Sequence, residues 1–201
     1  IKELILEDLT IPHLNLKDFT KLESLELKGA YIKTMEFGDC IPEIKDKGVI
    51  SELTFKEKLK SLENINSLAN QKLVNVIFEA ETSVSVLNSL RNQLYDTTFF
   101  IQSRFNSDAP FQKTNAVVFM PNSMIRLEGL TGFDAVNSLQ FKNVDFDEVT
   151  TLDLLNSKWG PRINANYSRV PLMDEISLKN FTRVREQLIR TGQYRNPEDL
   201  E

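Results

Sequence analysis

Pairs of apolar residues spaced two apart recur along this chain, and recurrence at a roughly fixed period constrains a fold more tightly than any single motif does. The pairs are Leu4/Leu6, Leu25/Leu27, Leu53/Phe55, Val76/Phe78, Phe99/Ile101, Leu139/Phe141 and Ile176/Leu178. Successive first members lie 21, 28, 23, 23, 40 and 37 residues apart, so four of the six steps fall within the roughly 20–29 residues of a leucine-rich unit. The step of 40 has room for one further unit, marked by Val118/Met120 or by Ile125/Leu127. The step of 37 holds one long unit.

Residues two apart on a strand point to the same side. A third apolar residue three before each pair turns in from the preceding loop: Ile1, Leu22, Ile50, Leu73, Val136 and Met173. One such unit cannot bury its own apolar edge, whereas stacked units bury each other's. The expected architecture is therefore an α/β solenoid of short parallel strands on a concave face, with irregular helices on the convex face. Pro12 disfavours helix at Ile11, so residues 11–16 read as a short extended return. Apolar residues on one side suggest helices over 56–70 (Leu59, Leu62, Ile65, Leu68), 82–95 (Val84, Leu87, Leu90, Leu94) and 146–156 (Phe146, Val149, Leu152, Leu155). A helix over 182–190, with Val184, Leu188 and Ile189 inward, would close the open end of the stack. The expected organisation is a repeat domain over 1–182, with a loop or insertion near 106–135 and a long unit over 143–171. A cap helix and acidic tail occupy 183–201.

The residues that follow each pair carry a resemblance. Leu6 is followed by Glu7-Asp8-Leu9, Leu27 by Lys28-Gly29-Ala30, Phe141 by Lys142-Asn143-Val144 and Leu178 by Lys179-Asn180-Phe181. The third residue is apolar or small each time. This resembles the cysteine-containing subtype of leucine-rich repeat, with Leu, Ala, Val and Phe in the cysteine's place. The resemblance covers roughly residues 1–105 and 133–182. The subtype is typical of the substrate-binding domains of F-box proteins, the adaptors of cullin-RING ubiquitin ligases. It implies a protein partner here, and Skp1 and a cullin held through a segment outside this chain.

The bulk properties fit a soluble recognition domain. Charged residues are 26% of the 201 and the net charge is −5, so no global attraction to nucleic acid follows. No apolar stretch approaches the roughly 20 residues of a membrane span. Cys40 is the single cysteine, which excludes an internal disulfide and favours a reducing compartment, nuclear or cytoplasmic. The single histidine, His13, has no second imidazole to share a metal with. Glycines are scattered and form no phosphate loop, and no serine or cysteine sits in a nucleophile's setting, so neither an enzyme nor a cofactor is expected. The carboxylates of Asp145, Asp147 and Glu148 suit a helix start, with a divalent-cation site as the alternative. The triplets Asn166-Tyr167-Ser168 and Asn180-Phe181-Thr182 match the glycosylation pattern and are read as incidental.

Two surfaces remain as candidates. Residues between the pair members should face outward: Ile5, Glu26, Thr54, Ile77, Phe100, Gln140 and Ser177. Lys142 and Lys179 stand in the next column. Ile5, Ile77 and Phe100 are apolar where a solvent face should be polar, which suits a protein partner. The partner set is thus Ile5, Glu26, Ile77, Phe100, Gln140, Lys142 and Lys179. The second surface is basic: Arg162, Arg169, Arg183, Arg185, Arg190 and Arg195. From Lys158 to Arg195 eight basic residues oppose three acidic ones, a local +5 that leaves −10 for the rest. Acidic or phosphorylated peptide and nucleic-acid backbone are both open there. The alternative function is a scaffold subunit of a nuclear assembly, with this end near DNA.

Overall fold

A computed structural model describes residues 1–45, 48–61, 63–68, 71–80, 82–83, 96–102, 104–107, 114–121, 124–127, 136–164 and 173–200. The chain winds as a solenoid, and every described strand pairing is parallel. A small sheet holds β1 (Glu3–Glu7), β3 (Ser24–Lys28) and β5 (Glu43–Lys45). The large sheet stacks seven strands in chain order: β2 (Thr10–Asn15), β4 (Tyr31–Phe37), β6 (Val49–Phe55), β7 (Asn75–Phe78), β9 (Thr98–Ile101), β11 (Thr114–Phe119) and β13 (Val136–Phe141). A third sheet joins β8 (Thr82–Ser83), β10 (Arg104–Ser107) and β12 (Met124–Leu127). Early turns place the small-sheet strand before the large-sheet strand, and later turns place the third-sheet strand after it.

Register shows what the spacing alone concealed. In the large sheet the inward pairs are Met35/Phe37, Leu53/Phe55, Val76/Phe78, Phe99/Ile101, Val117/Phe119 and Leu139/Phe141, aligned strand by strand and nearly inaccessible. Leu14 aligns with Met35 and extends the column into β2. Steps down this column from Leu14 are 21, 18, 23, 23, 18 and 22 residues, more even than the sequence suggested. Leu4/Leu6 and Leu25/Leu27 belong instead to the small sheet, so one continuous sheet through all the pairs is corrected. The apparent step of 28 jumped from one sheet to the other. The missing unit is β11. Its inward pair is Val117/Phe119, one residue off Val118/Met120, while 125 and 127 lie in β12.

The incoming residue three before the pair is buried at Leu22, Ile32, Ile50, Leu73 and Val136, whereas Ile1 is exposed at the free end. Phenylalanines form a spine through the coil. Phe55 stacks on Phe78 at 5.3 Å and Phe119 on Phe141 at 5.1 Å, at interplanar angles of 8° and 11°. Offset stacks of this kind add about 0.5–1.5 kcal/mol beyond the buried area.

Corners are turned by residues that tolerate a left-handed backbone. Asp8 (φ 49°), Gly29 (φ 69°) and Asn143 (φ 49°) each stand two places after an inward pair. Asp and Asn visit this region because their short side chains bond locally, and Gly because it lacks a Cβ. The next residue is buried at Ala30 and Val144, the place the resemblance singled out, but Leu9 is exposed. A Cβ at Gly29 would lie 2.5 Å from Asp8 Oδ1, an exposed side-chain tip that can turn aside, so the positive φ is what disfavours larger residues here. Gly48 follows Leu9 and Ala30 in the stack, and a Cβ there would lie 2.2 Å from Leu27 Cβ.

Helices are fewer than the spacing suggested. Over 56–70 the described backbone holds one short 3-10 turn, Ile65–Leu68, rather than a helix. A step of three is the 3-10 period, and both Ile65 and Leu68 are buried by it. This turn closes the small sheet. Ser67 Oγ accepts from the Ile44 N–H at 3.0 Å, and Asn64 Nδ2 donates to the Ile41 carbonyl at 3.0 Å, where a further strand would pair. Of the helix expected over 82–95, residues 82–83 form β8 and the rest lies outside the described residues. Helices α1 (Glu148–Asn156), α2 (Gly160–Asn164) and α3 (Glu175–Arg190) gather at the C-terminal end, and the boundary expected at 182 falls inside α3. α1 buries Thr150, Thr151, Leu154 and Leu155, and Val149 points out. Asp147 caps it, accepting from Thr150 N–H at 2.7 Å.

The expected last strand is the largest correction. Met173 makes one bridge beside Phe141, and Asp174 then starts α3, so Ile176 and Leu178 are helical. Ile176 is 52% exposed. The signal was present in Asp174-Glu175: an N-cap carboxylate followed by an acidic first turn. Ser177, Phe181, Val184 and Leu188 form the buried stripe, at helical steps of four, three and four. Phe181 meets Phe146 edge-on at 5.5 Å, and Phe146 meets Phe141 at 5.1 Å, so the cap plugs directly into the spine.

A second, polar stripe on α3 seals the segment after β13. Asp174 accepts from Asn143 N–H at 2.7 Å, and Ser177 Oγ accepts from Val144 N–H at 2.9 Å. Asn180 Nδ2 donates to the Val144 carbonyl at 3.1 Å, and Gln187 Nε2 donates to Glu148 at 2.8 Å. Burial works against the ionised Asp174 carboxyl, but hydrogen bonds from Ser177 and Asn143, with the Lys142 charge, hold it below the usual aspartate value.

Candidate functional site: the outward face of the large sheet

Between the inward pairs, one row runs across the large sheet: Asn15, Glu36, Thr54, Ile77, Phe100, Val118 and Gln140. Ile77 and Phe100 are direct neighbours on β7 and β9, partly exposed, with strands about 4.8 Å apart. Thr54 and Val118 on either side are nearly inaccessible, at 4% and 3%. The accessible apolar surface of this row is therefore confined to two adjacent side chains. Gln140 completes the row on β13, and Lys142 is exposed just beyond it.

The other residues of the expected partner set are placed elsewhere. Ile5 and Glu26 sit side by side on the small sheet, not on this face. Lys179 lies on α3, exposed, and Ser177 is buried there. The single outward column is thus split among three surfaces. Sequence reasoning missed the residues of β2 and β4, although Ile11-x-x-Leu14-x-Leu16 and Ile32-x-x-Met35-x-Phe37 carry the same spacing as the recognised pairs.

Charges line the N-terminal side of the patch. Lys56 Nζ reaches Glu79 at 2.8 Å and Glu36 at 3.7 Å, and His13 Nε2 lies 3.6 Å from the same Glu36 oxygen. The hydrogen bond to Glu79 leads in raising the Lys56 amine above its ordinary value, with Glu36 adding and burial opposing. On the row above, Asn75 Nδ2 donates to Glu52 at 3.0 Å.

Of the expected basic set, the described members lie on α2 and on or just after α3. Arg162 lies on α2 with its guanidinium 5.5 Å from the Trp159 ring centre. Arg183 meets Asp145 at 3.4 Å. Arg185 is half-buried, Arg190 and Arg195 are exposed near the end of α3, and Arg169 lies outside the described residues. The acidic cluster is likewise engaged. Asp147 caps α1, Glu148 holds Gln187 and Asp145 holds Arg183, so capping accounts for it. Asn180 is committed to the Val144 carbonyl, while Asn166 lies outside the described residues.

Cys40 is exposed, and burial of its thiol, with a hydrogen bond to Asp39, raises its pKa rather than activating it. It borders an open groove of about 670 Å³ with Lys2, Lys21, Leu22, Glu23 and Ile41. No described helix is long and apolar enough to cross a membrane. No family model matches the chain, and neither a curated protein nor a solved structure matches it.

Proposed function

We propose that this chain is a non-catalytic recognition domain of the leucine-rich-repeat kind, and that the outward face of its large sheet holds a protein partner. The observation that carries the reading is the Ile77–Phe100 pair. Two large apolar side chains stand together, partly exposed, on strands whose opposite face is locked into the core. Such a pair gives a partner a rigid apolar anchor, and truncating an anchor aromatic typically costs about 2 kcal/mol or more of binding. The post-strand resemblance extends the proposal to an F-box-type adaptor, in which the bound protein is a substrate presented to a ubiquitin ligase.

The test is site-specific photo-crosslinking in cells, with the full-length protein carrying a benzophenone side chain at Phe100, at Gln140 or at Ile5. Protein adducts from Phe100 and Gln140, with none from Ile5, support the reading. Adducts from Ile5 alone overturn it. Recovery of Skp1 and a cullin with the same complexes supports the adaptor role, and their absence removes that extension.

A further inference from the structure

Among the described residues, the Ile77–Phe100 pair has three carboxylates and one cation near it: Glu36, Glu52 and Lys56 on the turns before β7, and Glu79 just after β7. The Lys56 amine is already shared between Glu36 and Glu79. Glu52 receives only a neutral amide, from Asn75. Glu52 stands on β6 directly beside Asn75, and Glu79 follows β7 two residues after Ile77. Both therefore flank the same apolar anchor, one on each side along the strand direction. Across the pair, toward β11 and β13, the face carries Val118, Met120 and Gln140, with Lys142 exposed at its far edge and no described carboxylate.

We infer that this face takes a peptide segment presenting a large apolar side chain flanked by lysine or arginine. The inference rests on the recognition reading above and adds the chemistry of the partner. The apolar side chain sits on Ile77 and Phe100, and the cation answers Glu52 or Glu79. An acidic or phosphorylated segment would bring like charge against three carboxylates and is disfavoured here. That is the opposite of what the basic C-terminal stretch implied. Complementary charge around an apolar anchor sets specificity and association rate more than raw affinity. Carboxylate contributions should therefore shrink with salt, while the apolar contribution persists.

A random twelve-residue peptide library displayed on phage and panned against the whole chain tests this. The expected consensus is an aromatic or long aliphatic residue within a few positions of Lys or Arg. A synthetic peptide of that consensus should lose about 30-fold or more in affinity for Phe100→Ala. It should lose about three- to tenfold for Glu52→Gln or Glu79→Gln at low salt, and less at high salt. Circular dichroism checks that each variant is folded, and Phe100→Leu keeps the anchor apolar if the alanine variant does not fold. Peptides that bind Phe100→Ala and Phe100→Leu as well as the parent overturn the recognition reading itself. Peptides that need Phe100 yet carry an acidic consensus, or ignore both glutamine variants, overturn the charge inference alone.

Discussion

At the N-terminal end of the coil, β1 and β2 each pair on one side only. At the C-terminal end, α3 lies across the stack and buries Phe181, Val184 and Leu188 against it. The consequence is visible at equivalent positions. Leu4, Ile11 and Leu14 are half-buried, whereas Leu25, Ile32 and Met35, stacked one turn later, are 0% exposed. Among the described residues β1 and β2 are edge strands, and polar features mark them. Pro12 lacks an N–H on β2, Glu3 and Glu7 are exposed on β1, and Lys2 pairs with Glu23 at 2.9 Å. The closed end is satisfied twice, by an aromatic plug and by a polar stripe that bonds the backbone after β13. A repeated unit buries its neighbour's edge but not its own, and closing an end takes an element of a different kind.

Two changes test how far the ends differ. Phe181→Ala should destabilise the fold by about 3–5 kcal/mol, the cost of emptying a fully buried aromatic site. Leu4→Ala should cost about 1–2 kcal/mol, because much of its area is already in water. Urea unfolding of both variants decides, and equal losses would mean that the N-terminal turn is as tightly held as the cap. The corners offer a second comparison. Gly29→Ala should cost about 1–2 kcal/mol, from its positive φ. Asn143→Gly, at the equivalent place before the cap, should stay within about 1 kcal/mol of the parent, since glycine accepts the same backbone.

A pH-dependent effect concerns the cap's first residue. Asp174→Ala should cost about 1 kcal/mol at neutral pH. The folded-state pKa of Asp174 lies below its ordinary 3.8, so its contribution is present above that value and is lost as pH falls through the folded pKa. Parent and variant stabilities should therefore converge in acid. A gap that persists in acid would assign the effect to something other than the ionised cap.

Much of the coil was legible because burial enforces parity: residues two apart share a fate, and the inward pairs stand out against polar neighbours. Which sheet a pair belongs to was not legible, since Leu25/Leu27 and Leu53/Phe55 look alike in one dimension and only the corner at Gly29 separates their sheets. Parity also failed at β11, where Ala116 to Met120 are all apolar and offer no alternation to read. There the pairings to β9 and β13 decide. Ile176 and Leu178 misled because a spacing of two says nothing until the flanking cap is read. On the candidate face, the adjacency of Ile77 and Phe100 was legible from their 23-residue step. The sealing of Val118 and the place of Glu36 were not, because both depend on strands the pattern had left unassigned.

The position of Trp159 gives the molecule a built-in local reporter. It is the single tryptophan, 3% exposed, placed between α1 and α2 with the Lys158 amine 4.8 Å from its ring centre. Its emission therefore senses the closed end alone, while far-ultraviolet dichroism averages over the whole coil. In a linear array each turn touches only its neighbours, so the two signals need not change together. Coincident curves would mark one cooperative unit from Ile1 to the cap, and separated curves would time the fraying of the open end without any added label.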